Sequence, residues 1–297
     1  MPSISFVIPS YNYARYICVA VESVLPAMED ADELIVVDDG SADDTRQVLS
    51  HWIEKNTIQY VYQDNAGVSA ARNTGARLAS SDYLYFLDAD DRIILEGFSN
   101  LREEIGAQQD KAMIFGGHCS VDEGNRRCHP QSSVSDNAPR NFIDYVINRR
   151  FSIANGGAVL IKRAVALKYA YPEDLKVSED FCVYAWVLAN ENVAAIPDEI
   201  VEVTKHNDSL RNQTMDYPDI VERLPIILFD SARIPMVLLK YKQRFYCNRL
   251  LSLFRAQYFS GENKEAKATY KRAVHCRLLN LFKTSYFKKY IHLVMMK

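Results

Sequence analysis

A chain of 297 residues is long enough to bury a full core, as one large domain or one domain with an appendage. No run reaches the roughly 18 uninterrupted apolar residues of a membrane-spanning helix, and the opening Met1-Pro2-Ser3 lacks the charged and apolar regions of a secretory signal, so the expectation is a cytoplasmic protein. The net charge of −3 conceals an asymmetry: from Lys240 onward there are 14 Lys and Arg against 2 Asp and Glu, a net of +12, while the preceding 239 residues hold 21 against 36, a net of −15. Such a basic tail calls for a partner.

In chain order, Ile4 to Ile8 is a continuous apolar run that predicts a strand buried on both faces, closed by Pro9-Ser10-Tyr11-Asn12. Arg15 to Leu25 has helical spacing and stops at Pro26. Glu33 to Val37 predicts a second strand ending in Asp38-Asp39-Gly40-Ser41, with Ser41 or Asp43 available to cap a following helix. Ile58 to Tyr62 is a third strand, Asn65-Ala66-Gly67 a turn, and Ser69 to Leu78 a helix rich in small residues. Tyr83 to Leu87 is again continuously apolar and runs into Asp88-Ala89-Asp90-Asp91. Strands alternating with helices imply βαβ units and a mostly parallel sheet, whose right-handed crossovers bring Asp38-Asp39 and Asp88 to Asp91 to one edge.

Further along, Glu96 to Ile105 predicts a helix, Ala112 to Phe115 a strand, and the polar stretch Asp122 to Arg140 a loop or irregular insertion. Phe142 to Ile147 reads as helix. Asn155-Gly156-Gly157 is a turn before a short strand, Ala158 to Ile161. Ser178-Glu179-Asp180 opens a helix whose apolar face includes Trp186, expected in the core. Val193 to Ile196 and Ile200 to Val203 suit two strands, followed by Lys205-His206-Asn207. From about Met236 the pattern becomes helical, with Tyr246, Leu250, Leu253 and Phe254 on one face and further helix across Lys264 to Leu281. Six cysteines (Cys18, Cys119, Cys128, Cys182, Cys247, Cys276) show no C-x-x-C spacing and read as thiols in a reducing compartment, not as a zinc site or disulfide framework.

Three carboxylates within four residues at a strand's carboxyl end repel one another unless a cation sits between them, which points to a divalent-metal site with oxygen ligands. The plain alternative is an acidic turn capping the next helix. At the same edge, Tyr11 offers a flat face for a base. A carboxylate of Asp38-Asp39 can accept from a base N–H or a ribose hydroxyl, and Gly40 lets the backbone pass close to a ligand. Arg72 can reach a phosphate, though a salt bridge suits it equally.

Taken in order, Ser5 to Asn12, Val36 to Ser41, Asn65 to Asn73 and Phe86 to Asp91 resemble the successive motifs of family 2 glycosyltransferases over roughly residues 3 to 210. The resemblance implies an α/β GT-A fold, a Rossmann-like mostly parallel sheet flanked by helices, here with a C-terminal helical basic extension. It implies a domain at 1–235, with a nucleotide-sugar half at about 1–117 and an acceptor half at about 118–235, and a tail at 236–297. The implied activity is inverting transfer of a hexosyl or N-acetylhexosaminyl group from a nucleotide-diphosphate sugar, of the UDP class, with Mn²⁺ or Mg²⁺. By the same resemblance Pro9, Tyr11, Asn12, Asp39, Arg72, Asp88 and Ala89 hold the nucleotide sugar, Asp39 facing the base and Asp88 the ribose or donor sugar. Asp90 ligates the metal, with His206 as a further ligand. Glu179-Asp180 matches the later acidic pair, with Asp180 as catalytic base, and Asp91 reads as a helix cap or supporting acid. The Gln-x-x-Arg-Trp signature of processive synthases is absent after Asp180.

The implied acceptor is a glycan or lipid-linked oligosaccharide in capsule or O-antigen assembly. The tail then packs on the catalytic domain, binds a phosphorylated acceptor or, the reading its basic and aromatic composition favours, lies on an anionic membrane surface. Nucleic acid is not expected, since no recognition motif accompanies the charge. Rival readings are a nucleotide-sugar-binding scaffold without activity, a nucleotidyltransferase, disfavoured because Pro9-Ser10-Tyr11-Asn12 is not a Gly-rich basic loop, and a dinucleotide oxidoreductase, disfavoured because no G-x-G-x-x-G follows the first strand.

Overall fold

The computed structural model describes residues 1–122, 125–154, 157–206 and 217–295. In chain order its strands are β1 (Ile4–Ser10), β2 (Glu33–Asp38), β3 (Gln59–Tyr62), β4 (Tyr83–Phe86), β5 (Arg92–Ile93), β6 (Met113–Asp122), β7 (Asn125–His129), β8 (Val159–Lys162) and β9 (Val193–Lys205). Its helices are α1 (Ile17–Val24), α2 (Thr45–Val48), α3 (Ser50–Glu54), α4 (Val68–Leu78), α5 (Leu95–Ala107), α6 (Ala138–Phe142), α7 (Arg163–Lys168), α8 (Glu179–Asn190), α9 (Tyr217–Leu228), α10 (Lys242–Phe259), α11 (Asn263–Cys276) and α12 (Thr284–Met295).

The continuously apolar runs become the centre of the sheet because only there are both strand faces covered. Every residue of β1 and β4 is buried, and β1 lies between β2 and β4, parallel to both. The carboxyl ends of β1, β2 and β4 therefore share one edge, as the alternating pattern predicts. Close packing of α4 holds this half together: a Cβ on Gly75 would stand 2.3 Å from Val7 Cγ1. The strand order is β3-β2-β1-β4-β8-β6-β9-β5, with β7 paired to β6. Beyond β4 the sheet is mixed, with β8 antiparallel to both neighbours and β9 parallel to β6.

The structure departs from the sequence expectation at several points. The region 122–140 contains β7 and the start of α6 in place of a loop, because Asn125 to His129 pairs back on β6. The two short strands expected at 193–203 are one strand, β9, which runs through Pro197; shifts of register at Phe115 to His118 on β6 absorb the missing ladder donor. Four of the six cysteines are not thiols. Cys119 and Cys128 face each other across β6 and β7, and Cys247 joins Cys276 between α10 and α11, while Cys18 and Cys182 form no disulfide. Sequence spacing could not show this, because strand pairing and helix packing created the proximity, and the cysteine argument for a reducing compartment falls with it. Asn155, Gly156 and Asn207 lie outside the described residues. Trp186 is fully buried, as expected.

The chain forms two compact units, one of residues 1–145 and 149–213, the other of 146–148 and 214–297. The second unit thus begins before the change of pattern at 236, since Val221 of α9 belongs to the same apolar cluster as Leu250, Phe254, Tyr270 and Leu293. Among the described residues no helix is long and apolar enough to cross a membrane.

Candidate active site

The loops after β1 and β2 are tied to each other before any ligand arrives. Asn12, in the left-handed region at φ 56°, donates its backbone N–H to Ser41 Oγ at 2.8 Å and accepts from the Ala42 N–H at 2.8 Å. Asp43 accepts from the Ala14 N–H and from Thr45, so Ser41 serves as a bridge between loops and Asp43 holds the first residue of α2, whose N-cap position is Asp44 and not either expected residue. Asn12 is thus a fastener of the site wall. Pro9 is buried within β1, while Tyr11 beyond it is 47% exposed and free to receive a flat ligand.

Asp38 and Asp39 are both buried and serve different neighbours. Asp38 accepts from the Ser41 N–H at 2.8 Å and the Tyr60 hydroxyl at 2.5 Å. Asp39 accepts from the Ala66 N–H at 3.0 Å, the Gly67 N–H at 2.7 Å and the Gln63 side chain at 2.7 Å. A carboxylate has about four acceptor positions, so Asp39 anchors the turn before α4 and keeps about one for a ligand. Gly40 turns at φ 81°, where a Cβ would come 2.8 Å from the Asn65 nitrogen. The hydroxyls of Ser10 and Ser69 at this edge are buried without a hydrogen-bond partner among the described residues, as groups facing an absent polar ligand would be.

Arg72 on α4 joins motifs far apart in sequence. Its guanidinium donates to Asp88 Oδ1 at 2.7 Å and to Glu179 Oε1 at 2.7 Å, and lies 5.3 Å from the centre of the Tyr171 ring. The neighbouring Asn73 clamps the backbone of Tyr171 from both sides, accepting its N–H and donating to its carbonyl, each at 2.9 Å. This fixes the approach to α8, whose first residues are Glu179 and Asp180. Ser178 before them is held at φ 64°, a strained conformation for a residue with a Cβ. Asp180 is buried, and its carboxyl is pushed up to about 7 by burial first and then by the adjacent Glu179 charge, against the pull of Arg72. One guanidinium bonded to two carboxylates leaves the third short of positive charge.

Across the same strand end, His206 Nε2 meets Asp90 Oδ2 at 2.8 Å, and the His206 ring stacks on Tyr16 with centroids 4.3 Å apart. Burial, followed by the charge of Asp88, raises the Asp90 carboxyl above its ordinary range while His206 opposes the shift. Asp90 would offer a divalent cation a carboxylate oxygen and His206 a ring nitrogen. No cluster of three or more His, Cys, Asp or Glu suited to a metal occurs among the described residues, so Asp90 and His206 would offer a cation two ligands at most. The residues present fit Mn²⁺ or Mg²⁺ on that basis. Ala89 is buried between the two acids. Asp91 is no helix cap, since α5 begins at Leu95; it accepts from the Thr204 N–H at 3.0 Å and so places the end of β9, and with it His206, against Asp90.

No sequence pattern marks Asn73 and Tyr171 as supports, nor Glu202, which accepts from Arg92 Nε on β5 at 2.7 Å and from Arg126 Nε on β7 at 3.2 Å. Only Asn73 lay within a recognised motif.

Residues 5–169 match the family described as Glycosyl transferase family 2. The chain belongs to that family. A glycosyltransferase of Rickettsia felis, itself uncharacterised, is 26% identical over 200 residues, covering 67% of this chain and 32% of that protein. The chondroitin synthase of Escherichia coli is 32% identical over 127 residues, covering 42% of this chain and 18% of that protein. The chain thus spans about a third or less of the length of these relatives. Among solved structures, residues 1–349 of S. aureus TarS in complex with UDP-GlcNAc superimpose with a TM-score of 0.70 at 20% identity, covering 98% of this chain and 89% of that chain. This likeness shows that the family 2 chain has the GT-A fold.

Proposed function

We propose that this protein transfers a sugar, with inversion, from a UDP-sugar to a hydroxyl of a glycan or lipid-linked oligosaccharide, in the assembly of a surface polysaccharide. The observation that carries the reading is the buried Asp180 carboxyl, raised to a proton affinity near neutrality by burial and then by the adjacent Glu179 charge, beside a guanidinium of Arg72 that bonds Asp88 and Glu179. A base of that strength is matched to taking a proton from a hydroxyl at physiological pH.

In this reading the acceptor oxygen attacks the anomeric carbon from the side opposite the diphosphate. The new carbon–oxygen bond forms as the bond to the diphosphate breaks, the diphosphate leaves with the electron pair, and Asp180 takes the hydroxyl proton. Glu179 is a positioning residue that acts through Arg72. Asp88 faces the ribose or donor sugar with the oxygen that Arg72 leaves free, Asp39 accepts from the base through its remaining lone pair, and Tyr11 stacks on it. Asp90 and His206 hold the divalent cation, which when bound supplies positive charge to the departing diphosphate. Ser10 and Ser69 offer hydroxyls that have no hydrogen-bond partner among the described residues. UDP as the nucleotude class is supported by the TarS complex, and the basic residues after Lys240 suit an anionic surface that would present a lipid-linked acceptor.

The test is a panel of UDP-, GDP- and dTDP-sugars assayed with Mn²⁺ for nucleotide release and for a rise in melting temperature. At least one UDP-sugar should give both; failure of every donor in both measurements would overturn the reading.

A further inference from the structure

The helical unit closes with a helix that is apolar on two sides. Along one stripe of α12, Tyr286, Tyr290 and Leu293 pack into the unit's apolar cluster, with Tyr290 stacked on Tyr270 at 4.5 Å. A surface helix is expected to be polar on its opposite side. Here that side carries Phe287, Ile291, Val294 and Met295, recurring at i, i+4, i+7 and i+8, and all four are exposed, Met295 at 76%. Leu278 and Leu281, in the turn before the helix, are exposed as well. The charge around this stripe has one sign: from Arg277 to Lys297 the chain contains Arg277, Lys283, Lys288, Lys289 and Lys297 and no Asp or Glu. The α10–α11 pair differs, since there Arg272 bonds to Glu222 and to the Tyr246 hydroxyl and its basic charge is partly answered within the unit.

We propose that the outer face of α12 is a membrane-contact surface that lies in the plane of an anionic bilayer. The spacing of Phe287, Ile291 and Val294 is that of an interfacial helix, whose apolar side enters the boundary between headgroups and acyl chains while flanking lysines meet lipid phosphates. Among the described residues no helix is long and apolar enough to cross a membrane. The stretch 277–297, apolar and basic without Asp or Glu, has the composition of a helix that lies on an anionic lipid surface. The inference deepens the proposed function, whose lipid-linked acceptor would lie at such a surface, and its test reads binding alone.

The full chain is sedimented with phosphatidylglycerol–phosphatidylcholine vesicles and with phosphatidylcholine vesicles, at low and high salt. Binding should require phosphatidylglycerol and weaken with salt. Phe287→Ser with Ile291→Ser should lower the partition coefficient by about tenfold or more, with an unchanged melting curve because neither side chain is buried. Lys288→Glu should lower it by a smaller factor. If the wild type ignores anionic vesicles, or the double variant binds as well as the wild type, the inference is overturned. It is equally overturned if the wild type is a dimer in solution that the double variant dissolves, since the face is then covered by a second copy. UDP-sugar hydrolysis measured on the same samples separates the two readings: turnover without vesicle binding defeats this inference alone, and vesicle binding without turnover defeats only the proposed chemistry.

Discussion

Two ion networks in the same unit distribute charge in opposite ways. In the first, one guanidinium, Arg72, serves Asp88 and Glu179 with Asp180 close by, and the Arg72 side chain is 4% exposed. In the second, two guanidiniums, Arg92 and Arg126, share the single carboxylate of Glu202, and they are 54% and 51% exposed. The geometry of the individual bonds is similar, and the surroundings decide what the imbalance does. Water screens the surplus positive charge of the exposed network. Arg72, Glu179 and Asp180 are buried away from such screening, and burial together with the adjacent Glu179 charge lets Asp180 hold a proton to about pH 7. Unequal charge is a structural detail at the surface and a chemical property in the interior.

The strongest way to break this contrast is Arg72→Met, which strands the buried Glu179 and takes the partner from the partly exposed Asp88. It should lower stability by about 3–5 kcal/mol in urea unfolding and abolish turnover; a loss no larger than that of a surface arginine would show that the network is solvated. Asp180→Asn keeps the shape and removes the base. Turnover of the best donor should fall by about 10² to 10⁴ while UDP affinity is retained, and preserved turnover would remove Asp180 from the mechanism.

The same carboxyl sets a pH dependence that the surface network should lack. Its folded pKa, about 7, stands above the ordinary 3.8. Stability contributed by this group is therefore fully present below about pH 4 and is lost as pH rises through about 7, and Asp180→Asn should flatten that slope. Activity runs the other way: kcat/KM should decline below about pH 7 as the base becomes protonated. Asp90→Asn sharpens the separate role of the Asp90–His206 pair. The Mn²⁺-dependent part of the thermal stabilisation by UDP should vanish, with the Mn²⁺-independent part kept; an undiminished Mn²⁺ effect would place the cation elsewhere. The smallest change is expected from Arg126→Gln, at about 0–1 kcal/mol and shrinking further in high salt.

The motifs were legible because each depends on local chain chemistry. Asp38-Asp39-Gly40-Ser41 ends a strand and needs a glycine at positive φ, and Asp88-Ala89-Asp90-Asp91 breaks a continuously apolar run with three carboxylates. What each acid does was less legible. Asp39 spends most of its capacity on the turn at Ala66 and Gly67, and Asp91 holds β9 in place of capping α5, because partners more than twenty residues away fill those oxygens. The paired cysteines and β7 were missed for the same reason: a bond across a hairpin or between helices leaves no pattern in spacing alone.

By itself, then, the sequence determined that buried strands end in acidic loops along one edge, through local hydrophobic pattern and the order of βαβ units. Only the tertiary structure decided that Arg72 bonds Asp88 and Glu179 at once, that Asp180 lies buried beside them, and that His206 meets Asp90. Those relations depend on distances between residues up to 116 positions apart, and on desolvation, which exists only once the chain has closed around them.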